Sequence, residues 1–344
     1  METLVISSVG KTEFRQADSP DVGPGMVLLD VDVVGLCGSD LNTFRGLNPL
    51  AQLPRVPGHE IGGTIVAVGA DVPADFAPGA RGIVVPYSNC GACSACRAAR
   101  SNACKHNQTL GVQRDGGLSE QLVVPYDKLI LNDTLTQREM ALVEPLSVGF
   151  HAVARGAVQA GDTVLVIGAG MIGVGAILGA LARGARVLVA EVSEAKRAML
   201  EGLGDVTMIN PLQEDLAQAT LARTDGHGAD VVIEAVGLPE TFRAAVDLVC
   251  FAGRVVYVGY AKDEVAYNTA LFNLKELDIF GSRNASRADL DAVITYLENH
   301  RDLAEKLISR VFPWKDALDA LPYWEANRQQ TFKVMIELKD KPND

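Results

Sequence analysis

Four cysteines, Cys90, Cys93, Cys96 and Cys104, stand in the spacing C-x2-C-x2-C-x7-C within CGACSACRAARSNAC. Four thiolates this close, with small residues between them, suit a closed tetrahedral site for structural zinc. A ferredoxin-type cluster shares the first spacings but needs C-x3-C-P, whereas here seven residues intervene and Lys105 follows. A disulfide pair fits poorly with so long a chain that shows no secretory leader. A second set is scattered and differs in chemistry. Cys37 lies in GLCGSD, His59 and Glu60 in PGHEIGG, and Glu144 in VEPLSVGFH. Singly, a free Cys is a small buried hydrophobe and a Glu before Pro is a surface turn. Together they offer sulfur, nitrogen and oxygen ligands, the composition of an open catalytic zinc site. Two zinc ions per chain are therefore expected.

Gly168-Ala169-Gly170-Met171-Ile172-Gly173 fits G-x-G-x-x-G, directly after an apolar strand and opening a helix. The glycines permit a tight turn, bring the backbone close to a pyrophosphate, and seat the helix on the strand. Glu191 ends the next strand, 18 positions after Gly173, where a carboxylate accepts from the adenosine ribose hydroxyls. Its charge would repel a 2′-phosphate, so NAD is expected over NADP.

These residues need a scaffold, and the 344-residue length suggests about two domains. From residue 163 on, TVLVI, ARVLVA, DVTMI, ADVVIEAV, GRVVYVG and LDIFGS alternate with helical runs of roughly ten residues, the pattern of a doubly wound parallel sheet. The run 164–182 has the length and apolarity of a membrane span but splits into a strand and a helix at Gly168 and Gly170, so no membrane segment is expected. The first ~150 residues instead hold short β-type runs (MVLLDVDVVG, EIGGTIVAVG, RGIVVP, LSEQLVVP) between Gly/Pro turns, an antiparallel, barrel-like domain. The start METLVISSVGKTEFRQ has no signal-peptide pattern, and a cytoplasmic protein is expected. A formal net charge of -12 argues against a nucleic-acid or anionic-membrane partner, and against a nucleic-acid-binding zinc ribbon.

CGSD, GHE-x2-G, the four-cysteine lobe, EPLS and the later G-x-G-x-x-G, in this order, resemble the zinc-dependent medium-chain dehydrogenase/reductase family over essentially the whole chain. Glu60 after His59, and Glu144 in EPLS, look like its polyol (sorbitol-type) branch. GSRNA (281–285) and DGG-x-SE (115–120) further resemble bacterial hexonate 5-dehydrogenases such as that for L-galactonate. The resemblance implies a GroES-like catalytic domain from 1–152 and 285–344, and a Rossmann NAD-binding domain from 153–284. It implies that Cys37, His59 and Glu60 or Glu144 hold the catalytic zinc, and that the Ser39 hydroxyl starts a proton relay. It places Val236 and Val258, with the glycine turn, at the cofactor, and points Glu144 and Arg283 at the substrate. The polyol branch often has His where this chain has Asn42, which cannot titrate, so an outer relay must use water or another group. The implied activity is hydride transfer from a secondary hydroxyl of a polyol or sugar acid to NAD+. The alternative is a same-fold dehydrogenase for a simpler diol or an amino alcohol. Family members are dimers or tetramers, so a homo-oligomer is expected.

Overall fold

The computed structural model describes residues 1–339, and they divide into two compact units, Met1–Glu144 with the chain from Leu297 on, and Pro145–Tyr296. Both crossing points fall inside helices, Gln137–Arg155 and Arg287–Asn299, so no change of composition marks them.

The first unit is organised around one long strand, Met26–Leu36, which pairs antiparallel with Glu60–Val68, Gln121–Pro125 and Lys333–Glu337. Arg81–Val84 and Leu129–Leu131 extend the sheet on one side, and Ile308–Pro313 on the other. That last strand runs parallel to Lys333–Glu337, so the sheet is mixed and not purely antiparallel as the sequence suggests. Leu29, Val31, Val34, Ile61, Ile65, Val334 and Ile336 are buried in its core. Burying them fixes the register: a slip of one residue would turn every apolar side chain to the opposite face.

In the second unit six strands lie parallel in the spatial order Val206–Ile209, Arg186–Ala190, Thr163–Ile167, Ala229–Glu234, Val249–Tyr257, Asp278–Gly281. Counted along the chain this is 3-2-1-4-5-6, the Rossmann order, whose switch point lies between Thr163–Ile167 and Ala229–Glu234. Val164, Leu165, Val166, Val187, Val231 and Val232 are all fully buried, which is why these strands read as unbroken apolar runs. Among the described residues no helix is long and apolar enough to cross a membrane.

The Gly/Ala-rich stretch after the turn is the helix Met171–Leu181, and its composition serves close packing. A Cβ on Gly175 would stand 2.4 Å from the Leu146 carbonyl oxygen, and one on Gly149 would stand 2.2 Å from the Ala176 nitrogen. The two helices therefore touch backbone to backbone. Gly149→Ala is expected to cost about 1–3 kcal/mol, because no flexible side chain can move aside. Denaturant unfolding that shows no loss of stability would contradict this contact.

Candidate metal centre and cofactor turn

The candidate ligand set is assembled by a few backbone hydrogen bonds to one side chain. Cys37 follows directly after the long strand and caps the helix Gly38–Phe44. Asp40, fully buried, accepts from the Cys37 N–H through Oδ2 (2.8 Å) and from the Gly58 N–H through Oδ1 (3.1 Å). One carboxylate thus ties the cysteine turn to the segment that delivers His59. Gly58 takes φ +97°, open to glycine and costly for other residues, and this turns the chain so that His59 and Glu60 enter the next strand.

The ligand atoms of Cys37, His59 and Glu60 all lie within 4.8 Å of one another. His59 Nδ1 is buried and has no hydrogen-bond partner among the described residues, and Asp40 Oδ1 is 4.0 Å away. Burial opposes a charged imidazole, yet the Cys37 thiol group, Asp40 and Glu144 outweigh it and hold His59 well above its ordinary value. The pocket is thus a field that favours a cation, and its sulfur, nitrogen and oxygen donors suit zinc.

Glu144 stands outside that three-residue cluster. It lies mid-helix in Gln137–Arg155, followed by Pro145, and not in a surface turn. Its Oε1 accepts a short hydrogen bond from the Tyr87 hydroxyl. Burial and the neighbouring Glu144 push the Tyr87 phenol well up, so Tyr87 remains a donor.

Glu60 has a partner that the sequence motifs do not announce. Lys333, 1% exposed, donates to both Glu60 oxygens (2.6 and 2.5 Å) and to the Leu36 carbonyl (2.9 Å). Gly35 makes room for this carboxylate, since a Cβ there would lie 2.2 Å from Glu60 Oε2. Burial raises the Glu60 pKa and Glu144 adds to it, while Lys333 and His59 act the other way. Ser39 Oγ, the expected relay hydroxyl, is buried without a protein partner, and Asn42 is exposed.

The four-cysteine lobe is a separate centre, with all four sulfurs within 4.8 Å of one another. Cys93 Sγ is 3.5 Å from Cys96 Sγ and 3.8 Å from Cys104 Sγ. Tetrahedral zinc with bonds of about 2.3 Å sets an S···S edge of about 3.8 Å, whereas a disulfide needs about 2.05 Å. Backbone N–H groups of Cys90 and His106 point at Cys104 Sγ, each at 3.3 Å. N–H groups around Cys93 bring its thiol down to about 6, and burial among the other thiols pushes Cys96 up to about 11.

In the second unit, Gly168 takes φ +95° and a Cβ on Gly173 would fall 1.9 Å from the Gly168 oxygen. Gly170 caps the helix with nothing within 4 Å of its would-be Cβ, leaving the first N–H groups of Met171, Ile172 and Gly173 an open approach for a phosphate. Glu191 accepts from the Ala169 N–H (2.8 Å) and, through its other oxygen, from the Ser193 N–H (2.8 Å). Val236, exposed, overhangs Gly168 across the switch point, and Val258, buried just past the end of Val249–Tyr257, donates its N–H to the Glu234 carbonyl (2.9 Å). Arg283 is exposed at the end of Asp278–Gly281.

Comparison with known proteins agrees with this geometry. Residues 172–299 match the zinc-binding dehydrogenase family, and residues 23–133 match the alcohol dehydrogenase GroES-like domain. L-galactonate-5-dehydrogenase of Escherichia coli K12 is 33% identical over 336 residues, covering 98% of each chain. An alcohol dehydrogenase (RspB) from E. coli CFT073, solved with NADH, superposes with a TM-score of 0.91 at 29% identity, covering 98% of this chain and 99% of that one. A zinc-binding dehydrogenase from Sinorhizobium meliloti 1021, solved with NADP, gives 0.88 at 29% identity, with 98% and 99% covered.

Removing Lys333 would take from the buried Glu60 the ammonium that bonds both of its oxygens. Lys333→Met is expected to cost about 3–5 kcal/mol, and adding Glu60→Gln to recover part of that loss. Equilibrium unfolding in which the single variant matches the parent would contradict the pairing.

Proposed function

The chain belongs to the zinc-dependent medium-chain dehydrogenase/reductase family, with a zinc centre and a nicotinamide cofactor, and from that premise we propose that it oxidises a secondary hydroxyl of a polyhydroxylated substrate, a hexonate before a hexitol, with NAD+. The observation that carries this is the cation-favouring pocket of Cys37, His59 and Glu60 with a second carboxylate, Glu144, held beside it by Tyr87. Cys37, His59 and Glu60 would hold the catalytic zinc, leaving Glu144 to accept from a neighbouring substrate hydroxyl. Cys90, Cys93, Cys96 and Cys104 would hold the second, structural zinc. Bound zinc supplies Lewis acidity toward a hydroxyl, and bound NAD+ supplies the hydride acceptor.

The protein's own groups do the rest. The Ser39 hydroxyl, buried and unpaired, is free to take the substrate proton and pass it on. With Asn42 unable to titrate, the proton would leave through water or another group. Gly168, Gly170, Met171, Ile172 and Gly173 would receive the pyrophosphate on backbone N–H groups, with Val236 and Val258 lining the cofactor's path. Glu191 has already spent one lone pair of each oxygen on the turn and keeps others for the ribose hydroxyls, where its charge opposes a 2′-phosphate. Arg283 is proposed to face the substrate. A dimer or tetramer is proposed from the family resemblance, and a cytoplasmic location from the start of the sequence and its cysteine usage.

A screen of hexonates, hexitols, simple diols, threonine and ethanol with NAD+ and NADP+ tests the reading. A hexonate or hexitol should exceed ethanol by about a thousandfold in kcat/KM, since a site built to pair several hydroxyls rejects analogues that leave its groups unpaired. NAD+ should be preferred. Ethanol as best substrate would overturn the polyol assignment, and equal kcat/KM for both cofactors would overturn the role of Glu191.

A further inference from the structure

Tyr87 lies in VVPYSNC, between the strand Arg81–Val84 and the first cysteine of the lobe. The chain on either side of it is pinned. The Val85 N–H donates to the Lys128 carbonyl (2.8 Å), the Leu110 N–H to the Pro86 carbonyl (3.1 Å) and the Ser88 N–H to the Gln108 carbonyl (3.3 Å), while Tyr87 bridges Thr109 antiparallel. Tyr87 is 6% exposed, and a buried ring on a fixed backbone has few rotamers open to it. Its hydroxyl is therefore held in one place.

That place is the pocket of the candidate metal ligands. The hydroxyl donates to Glu144 Oε1, and beyond Glu144 the Cys37 sulfur and the Glu60 carboxylate also act on the phenol. Glu144 acts in turn on His59 and Glu60. A buried carboxylate so near a cation site is a zinc donor by type. Yet only Cys37, His59 and Glu60 bring their ligand atoms within 4.8 Å of one another, and Glu144 stands apart with one oxygen on the phenol. The difference matters chemically. Three protein ligands leave tetrahedral zinc a fourth position for substrate, and a fourth protein ligand closes it, as in a structural site.

We propose that Tyr87 is a positioning residue that keeps Glu144 off the metal and so keeps the substrate's position open. The claim rests on the zinc reading of Cys37, His59 and Glu60 above, and not on which alcohol is oxidised. The phenol offers a carboxylate oxygen a charge-assisted hydrogen bond on the side of the pocket where the backbone is pinned. Without that donor, a divalent cation in the same pocket, the largest charge there, would draw Glu144 in.

Tyr87→Phe keeps the ring and removes only the hydroxyl. Cobalt(II) exchanged for the zinc at Cys37, with the lobe's zinc left in place, reports its donors through its visible bands. Azide, a probe that needs the open position, should shift the parent's bands. In Tyr87→Phe the bands should differ before azide is added, the azide Kd should rise about tenfold, and a chelator should remove the ion about tenfold more slowly. Tyr87→Phe/Glu144→Gln should recover azide binding, because the group that closes the position is gone. A Tyr87→Phe protein with the parent's spectrum and azide affinity would overturn the proposal. So would one that loses the ion faster than the parent, since Tyr87 would then only support the fold. If the cobalt results hold but the parent oxidises no polyol, the polyol reading falls and the role of Tyr87 stands. If the parent binds no metal at Cys37, the zinc reading falls and the proposal with it.

Discussion

Several acids buried in one pocket need cations, and that constraint organises the first unit. Asp40, Glu60 and Glu144 are all buried there, with the Cys37 sulfur beside them. Isolated buried charge is too costly to persist, so each must be neutralised, hydrogen-bonded or paired. Asp40 is satisfied by two backbone N–H groups, Glu144 by Tyr87, and Glu60 by Lys333. The buried, unpartnered nitrogen of His59 is left over, in a field that favours positive charge. A divalent ion would complete that balance. The same constraint explains why the strand Lys333–Glu337 belongs to the first unit: Lys333 reaches Glu60 because this strand pairs with Met26–Leu36, just before Cys37.

The second unit meets a different demand, a bare backbone that can come close to phosphates. Positive φ at Gly168, the close approach at Gly173 and the open cap at Gly170 meet it. Glu191 does more than its position at the strand end implies. By accepting from Ala169 it pins the turn itself, so its loss would disturb phosphate and ribose contacts together.

How much was legible in the sequence depended on whether the signal was local. The parallel strands, the glycine turn and the cysteine lobe show in short windows because their physics is local: unbroken apolar runs, positive-φ glycines, and four thiolates within fifteen residues. Cys37, His59 and Glu60 were legible as a set, and the structure gathers them. Glu144 is legible as a member of the ligand set but not in its local structure, because a Glu-Pro pair reads as a turn while tertiary packing carries the helix through Pro145. Lys333 and Tyr87 carry no local signal of their roles, since their partners lie 273 and 57 residues away and neither stands in a motif. The one available hint was a lysine within the apolar run TFKVMIEL. Asp40 was visible only as the last letter of CGSD, and its two backbone partners required coordinates.

The central claim is that the chain has two separate metal centres, one that reacts and one that holds shape. Elemental analysis of freshly purified parent, Cys37→Ser and Cys93→Ser measures this directly. The account predicts two zinc ions per chain in the parent. Cys37→Ser should keep the lobe's zinc and an unchanged unfolding midpoint while turnover vanishes. Cys93→Ser should lose the other zinc and stability with it, because metal binding at a closed site is folding free energy. One zinc or none in the parent, or undiminished turnover in Cys37→Ser, would contradict it.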